Sequence, residues 1–127
     1  MGGFSLMDQG IKRKSREFSA KVVNLHKQLL SHKKESVMSE ELLRSGAGVG
    51  ADLVKSECAI SRKDFLSKTY IAYKECSETK YWLKLLRKTE YITIDEYNSI
   101  IQDCEETYRI LASITKTMKE GSNKIRN

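Results

Sequence analysis

Proline is missing from the whole chain, and no stretch approaches the roughly 18 unbroken apolar residues that cross a bilayer. Nothing of the proline kind therefore interrupts a helix, and no membrane partner is expected. Histidine occurs twice, as His26 and His32, and neither has a Glu three residues before it. The Glu-x-x-His pattern of di-iron helix bundles is thus absent, although Asp52, Glu57, Asp64, Glu75 and Glu78 supply carboxylates. The three cysteines contain no CxxC pair, and their odd number and wide spacing exclude a disulfide framework. Cys76 and Cys104 fall on apolar helical stripes, where cysteine packs as a small hydrophobe; Cys58 lies close to a helix end. No serine sits in a G-x-S-x-G elbow. The segment Met1–Asp8 has no apolar run of the signal-peptide kind, so a cytoplasmic location is expected. These absences predict a protein that is not an enzyme, with no metal, no cofactor and no small-molecule substrate.

What is present is helical. With 127 residues, 39% hydrophobic and 31% charged, the chain suits one domain whose helices each bury one stripe. Phe18, Val22, Leu25 and Leu29 mark one face of a helix from about Lys14 to His32. Met38, Leu42, Gly46, Val49 and Leu53 continue the rhythm, with Ser36 as a candidate N-cap. Phe65, Thr69, Ala72, Cys76, Thr79, Leu83 and Leu86 alternate spacings of four and three, the heptad pattern. Ser61 and Asp64 open this third helix as a capping-box variant, and Thr93 with Glu96 opens the fourth. Tyr97, Ile101, Cys104, Tyr108, Leu111 and Met118 form the last stripe, and Gly121 is a candidate stop. No segment alternates with period two. The sequence therefore predicts an all-α, antiparallel up-down-up-down four-helix bundle over 14–120, with a basic flexible tail at 1–13 and a flexible tail at 121–127.

Gly46, Gly48 and Gly50 stand inside the second helix, each costing about 1 kcal/mol relative to alanine. A phosphate-binding turn would need a preceding strand and a following Lys-Ser/Thr, and neither is there. Close helix approach is the better explanation, with Trp82 or Tyr73 as the expected neighbour. Residues 1–34 hold eight basic residues against Asp8 and Glu17, while the remainder sums to zero. Lys12, Arg13, Lys14, Arg16, Lys21 and Lys27 are the candidate contacts to RNA or DNA phosphates; a solvated face that aids solubility is the alternative. On the third helix Tyr70, Tyr73, Tyr81 and Trp82 flank the stripe, as a wide core contact, a subunit interface or a base-stacking surface.

Five segments carry a resemblance: Arg44-Ser-Gly-Ala-Gly-Val-Gly-Ala-Asp52, Ser61-Arg-Lys-Asp-Phe65, Ile71-Ala-Tyr-Lys-Glu75, Glu78-Thr-Lys-Tyr-Trp-Leu83 and Glu90-Tyr-Ile92. In order and spacing, from about Ser15 to Glu120, they resemble the four helix bundle protein family, also called the 23S rRNA intervening-sequence protein family. The resemblance implies an antiparallel bundle assembled as a homopentamer, without enzymatic activity or cofactor. A related branch, the accessory variability determinants of diversity-generating retroelements, forms basic pentameric barrels that bind a reverse transcriptase and nucleic acid. RNA or DNA and a reverse transcriptase are thus the implied partners. Arg44, Gly46, Gly50, Asp52, Tyr73, Tyr81 and Trp82 are the candidate helix-packing or subunit-contact residues. The chain departs from the family pattern at Gly48 for a Ser, Asp52 for an Asn and Lys55 for a Glu. Asp52 accepts hydrogen bonds only, where an amide also donates, and a pairing with Lys55 across one turn is expected to compensate.

Overall fold

The computed structural model describes residues 9–126, in four helices: α1 (Gln9–His32), α2 (Val37–Glu57), α3 (Arg62–Lys88) and α4 (Ile94–Arg126). No strand occurs among the described residues. Residues 1–8, expected as part of a tail, lie outside them.

The cross-helix contacts give the topology. Descending α1 from His26 through Val22 and Ser19 to Lys12, the partners on α2 ascend from Ser39 through Gly46 and Gly50 to Glu57. Between α2 and α3, Ser45 meets Thr79 and Gly48 meets Glu75. Between α3 and α4, Arg62 meets Gly121, Tyr73 meets Tyr108 and Cys76 meets Cys104. Finally α4 returns against α1, with Glu106 beside Lys14 and Ser99 beside Lys21. Every neighbouring pair runs in opposite directions, as short connections require.

All seven expected α3 positions are buried, from Phe65 to Leu86. They close on Phe18, Val22, Leu29, Leu42, Val49 and Leu111 in one core. Each large aliphatic or aromatic side chain there contributes about 1.5–3 kcal/mol of burial free energy. Met118, assigned to the α4 stripe by spacing, lies outside the described side chains.

The helix ends depart from expectation in three places. Helix α1 begins at Gln9 rather than Lys14, because Ile11 and Ser15 are buried and extend its stripe by a turn. Lys12 and Arg13 therefore stand on a helix, not in a tail. Helix α4 runs through Gly121 to Arg126. No described glycine has a positive φ, which a glycine C-cap would need, and the Arg62 guanidinium lies over Gly121 instead. Ser36 occupies the N-cap position of α2 but makes no side-chain cap. The buried Glu35 carboxylate does so, accepting the N–H groups of Met38 at 3.0 Å and Ser39 at 2.9 Å. A carboxylate satisfies two orphan donors at the positive end of the helix dipole, which one hydroxyl cannot do.

The other ends follow the sequence closely. Thr93 Oγ1 accepts from the Glu96 N–H at 3.1 Å and Glu96 Oε1 accepts from the Thr93 N–H at 2.8 Å, a full capping box. Ser61 Oγ accepts from the Asp64 N–H, while the Asp64 carboxylate reaches past the cap to the Ile60 N–H. Helix α3 ends with Glu90 at φ 66° and the Tyr91 N–H on the Leu86 carbonyl, a Schellman turn built without glycine.

The glycines of α2 admit close approach, but not to the aromatics. A Cβ on Gly46 would stand 2.7 and 2.8 Å from the two γ-carbons of Val22. One on Gly50 would meet Ser19 Oγ at 3.0 Å, and one on Gly48 would meet Glu75 Oε2 at 3.0 Å. Gly46 and Gly50, four residues apart, face α1; Gly48, about 200° around the helix from Gly46, faces α3. Val22, Glu75 and Ser19, rather than Trp82 or Tyr73, are therefore the nearest neighbours of these glycines.

Two stability predictions follow from these contacts. Glu35→Ala lowers stability by about 1–2 kcal/mol and Ser36→Ala by less than about 0.5 kcal/mol, measured by urea unfolding. Gly46→Ala destabilises by about 1 kcal/mol despite its helix propensity, because both γ-carbons of buried, β-branched Val22, and its Cβ at 3.2 Å, stand in the way. Gly48→Ala displaces only the end of a flexible Glu and is neutral or stabilising by up to about 1 kcal/mol. Equal effects at the two glycines would show that Val22 does not set the limit.

Candidate nucleic-acid interface

Helix by helix, the positive charge falls in two places. Helix α1 holds six basic residues against Glu17, and α3 holds eight against Asp64, Glu75 and Glu78. The acidic surplus of α2 and α4, together with Glu35 and Glu90, cancels the α3 excess when the chain is divided at residue 35.

The α1 cations are largely matched within the chain. Lys12 reaches Glu57 of α2 at 3.2 Å, and Lys14 pairs with Glu106 of α4, holding that carboxyl below its ordinary pKa. Lys21 Nζ lies 2.7 Å from Asp103 and donates to the Ser99 carbonyl at 3.0 Å. Arg13 stands 3.9 Å from Glu17. Such exposed pairs add little to stability, because water and salt screen them. Their carboxylates nevertheless cancel much of the field over this face, whatever the strength of each pair. Arg16 and Lys27 are exposed, with no carboxylate within 4.0 Å among the described residues. Lys12 and Arg16 also line an open groove of about 380 Å³ between α1 and α2, together with Ala47, Gly50 and Leu53.

The α3–α4 seam is different. Here Tyr70 and Tyr73 of α3 and Tyr108 of α4 form a row, with centroids 6.0 and 5.0 Å apart and planes tilted by 28° and 32°. The hydroxyls of Tyr73 and Tyr108 hydrogen-bond at 3.0 Å, and this bond is the first cause of the raised Tyr73 pKa. Three ammonium groups ride on these rings: Lys74 5.3 Å and Lys119 4.9 Å from the Tyr70 centroid, and Lys80 4.7 Å from that of Tyr108. Each cation–ring contact contributes about 0.5–1 kcal/mol at an exposed site. None of the three has a carboxylate within 4.0 Å among the described residues. Spacing singles out Tyr70 and Tyr73, but Tyr108 reads as core, and nothing local places Lys80 or Lys119 on a tyrosine ring.

The remaining candidates knit α2 to α3. Arg44 lies 2.7 Å from Glu41 and 3.7 Å from Glu75 and also pairs with Glu78, which accepts from the Trp82 indole N–H at 3.0 Å. Both Glu75 and Glu78 are thus paired with Arg44 within one chain. Tyr81 is 57% exposed and meets Trp82 edge-on. Lys55 stands 4.0 Å from Asp52, the outer limit of an ion pair. Burial outweighs that contact and raises the Asp52 carboxyl above its ordinary pKa, and burial raises Glu75 against the pull of Arg44.

Two of the three cysteines are placed for packing, while Cys58, at the end of α2, is exposed. Cys76 and Cys104 are fully buried, each thiol directed at the other's carbonyl, at 3.4 and 3.7 Å. The hydrogen bond with Cys76, then burial, pushes the Cys104 thiol far up, which disfavours the nucleophilic thiolate. Among the described residues no group of three His, Cys, Asp or Glu side chains is placed to hold a metal ion. No described helix is long and apolar enough to cross a membrane.

These features define an all-α four-helix bundle with a basic, tyrosine-bearing seam. The sequence profile of the 23S rRNA-intervening sequence protein family matches residues 7–124, and the chain belongs to that family. It is also similar to a crystal structure from Bacteroides thetaiotaomicron, a protein with unknown function from the S23 ribosomal protein family. That similarity has 50% identity and a TM-score of 0.82, covering 84% of this chain and 98% of that one. No protein of curated function matches the sequence.

Asp52 generates a pH prediction. Its raised folded-state pKa means that ionisation costs stability, a cost absent below the unfolded value near 3.8 and growing as pH rises through the folded value. Asp52→Asn therefore raises the Tm more at pH 7 than at pH 3.5. A gap of the same size at both pH values would show that desolvation of the carboxylate is not the cause.

Proposed function

We propose that this chain is a non-enzymatic, homo-oligomeric accessory protein that binds nucleic acid, RNA foremost, through its basic helix faces. The observation that carries the reading is the trio Lys74, Lys80 and Lys119, cations held on tyrosine rings rather than on carboxylates. Arg16 and Lys27 add unmatched charge on α1, where Lys12, Arg13, Lys14 and Lys21 exchange carboxylate for phosphate at little cost. The net charge of +6 per chain is multiplied in an oligomer, strengthening attraction for a polyanion. The family's name, taken from 23S rRNA intervening sequences, agrees with an RNA ligand.

Subunit contacts would cover Val37, Val54, Ile60 and Ile94, which are 74%, 66%, 90% and 50% exposed. A pentamer, the assembly that the family resemblance implies, is the proposed state. The same exposed apolar side chains favour a second reading, a scaffold that docks a partner protein such as a retroelement reverse transcriptase.

Native mass measurement is expected to give five times the 14.6 kDa chain. Fluorescence anisotropy with a structured RNA is expected to show affinity falling at least tenfold between about 50 and 200 mM salt, as phosphate contacts release counterions. A monomer, or no RNA binding at low salt, would overturn the corresponding half of the proposal.

A further inference from the structure

We infer that the Tyr70–Tyr73–Tyr108 row is a stacking platform for the bases of a single strand, with Lys74, Lys80 and Lys119 as its phosphate contacts. This rests on the nucleic-acid reading above and names the form of nucleic acid and the side chains that grip it. A run of half-covered tyrosines is otherwise explained as core, but the row is graded in exposure. Tyr108 and Tyr73 are half-buried and locked hydroxyl to hydroxyl, while Tyr70 at the outer end is 38% exposed. Tyr73 thus backs the outer ring, and Tyr70 keeps part of its apolar surface open to solvent.

The lysines supply what such a platform needs to hold a nucleotide. Lys74 and Lys119 converge on Tyr70 from two helices, and Lys80 stands on Tyr108 at the other end of the row. Lys74 and Lys80 are six residues apart, about 9 Å along α3, so the cations serve a few successive phosphates rather than one. A base entering the Tyr70 face displaces an ammonium that is tethered beside the incoming backbone, and one favourable contact replaces another. Duplex bases are already stacked on one another and offer no free face, so the platform selects unpaired strands. Every base has a flat face, so little sequence preference is expected.

The test uses the full-length protein with fluorescein-labelled 20-nucleotide oligouridine, oligodeoxythymidine and a duplex of equal length, at low salt. Both single strands bind at least tenfold more tightly than the duplex. Tyr70→Leu weakens single-strand binding by about 5- to 20-fold and leaves duplex binding unchanged, while Tyr70→Phe keeps wild-type affinity. Circular dichroism confirms that the exposed substitution leaves the bundle folded. Single-strand affinity unchanged in Tyr70→Leu, or equal affinity for duplex and single strands, overturns the platform while nucleic-acid binding stands. Failure of the wild-type protein to bind any of the three overturns both.

Discussion

Helix α2 has to fit between α1 and α3 with almost no side-chain thickness on either flank, and the rest of the bundle is arranged around that constraint. Gly46 lets Val22 come within van der Waals reach of its backbone, and Gly50 does the same for Ser19. On the other flank Gly48 leaves room for Glu75, and the small residues Ser45 and Thr79 hydrogen-bond at 3.0 Å. Each glycine weakens the isolated helix, so α2 depends on its neighbours for stability more than the other helices do. The Glu35 carboxylate at its start and the Arg44 cluster along its side offset part of that weakness.

Charge is used in two distinct ways on this scaffold. Around α1 and α2, cations and carboxylates are interleaved across helix boundaries, as in Lys12–Glu57, Lys14–Glu106, Lys21–Asp103 and Arg44–Glu78. Pairs of this kind set register between helices while adding little to stability. Along α3 and α4 the carboxylates are drawn away, Glu75 and Glu78 towards Arg44 and Asp64 towards Lys68. Three of the lysines left behind, Lys74, Lys80 and Lys119, settle on tyrosine rings. One helix therefore presents an acidic edge to α2 and a basic, aromatic edge to α4. That division separates what holds the bundle together from what is free to meet a polyanion.

Much of this was legible along the chain. Heptad spacing alone located the buried face of α3, because a helix that packs on neighbours must repeat its apolar residues every 3.6 positions. The Thr93–Glu96 capping box was equally plain, since both hydrogen bonds join residues three apart. The absence of proline and of any period-two run left helices as the only regular structure. Local sequence also pointed to close packing as the compensation for the glycines of α2, but the neighbours it suggested, Trp82 or Tyr73, were the wrong ones: Val22, Ser19 and Glu75 stand there.

Contacts between distant residues belonged to the tertiary structure. Val22 as the neighbour of Gly46, Glu35 as the cap of α2, and Glu106 as the partner of Lys14 depend on how helices are set side by side, which no spacing rule encodes. The candidate interface shows this most clearly. Lysines counted along α1 looked free because their carboxylates lie on other helices, whereas Lys80, Lys119 and Tyr108 acquire meaning only once α3 and α4 are antiparallel. Periodicity is a property of one helix and survives in its sequence; electrostatic neutralisation and ring stacking are properties of surfaces, and surfaces exist only after the helices have closed.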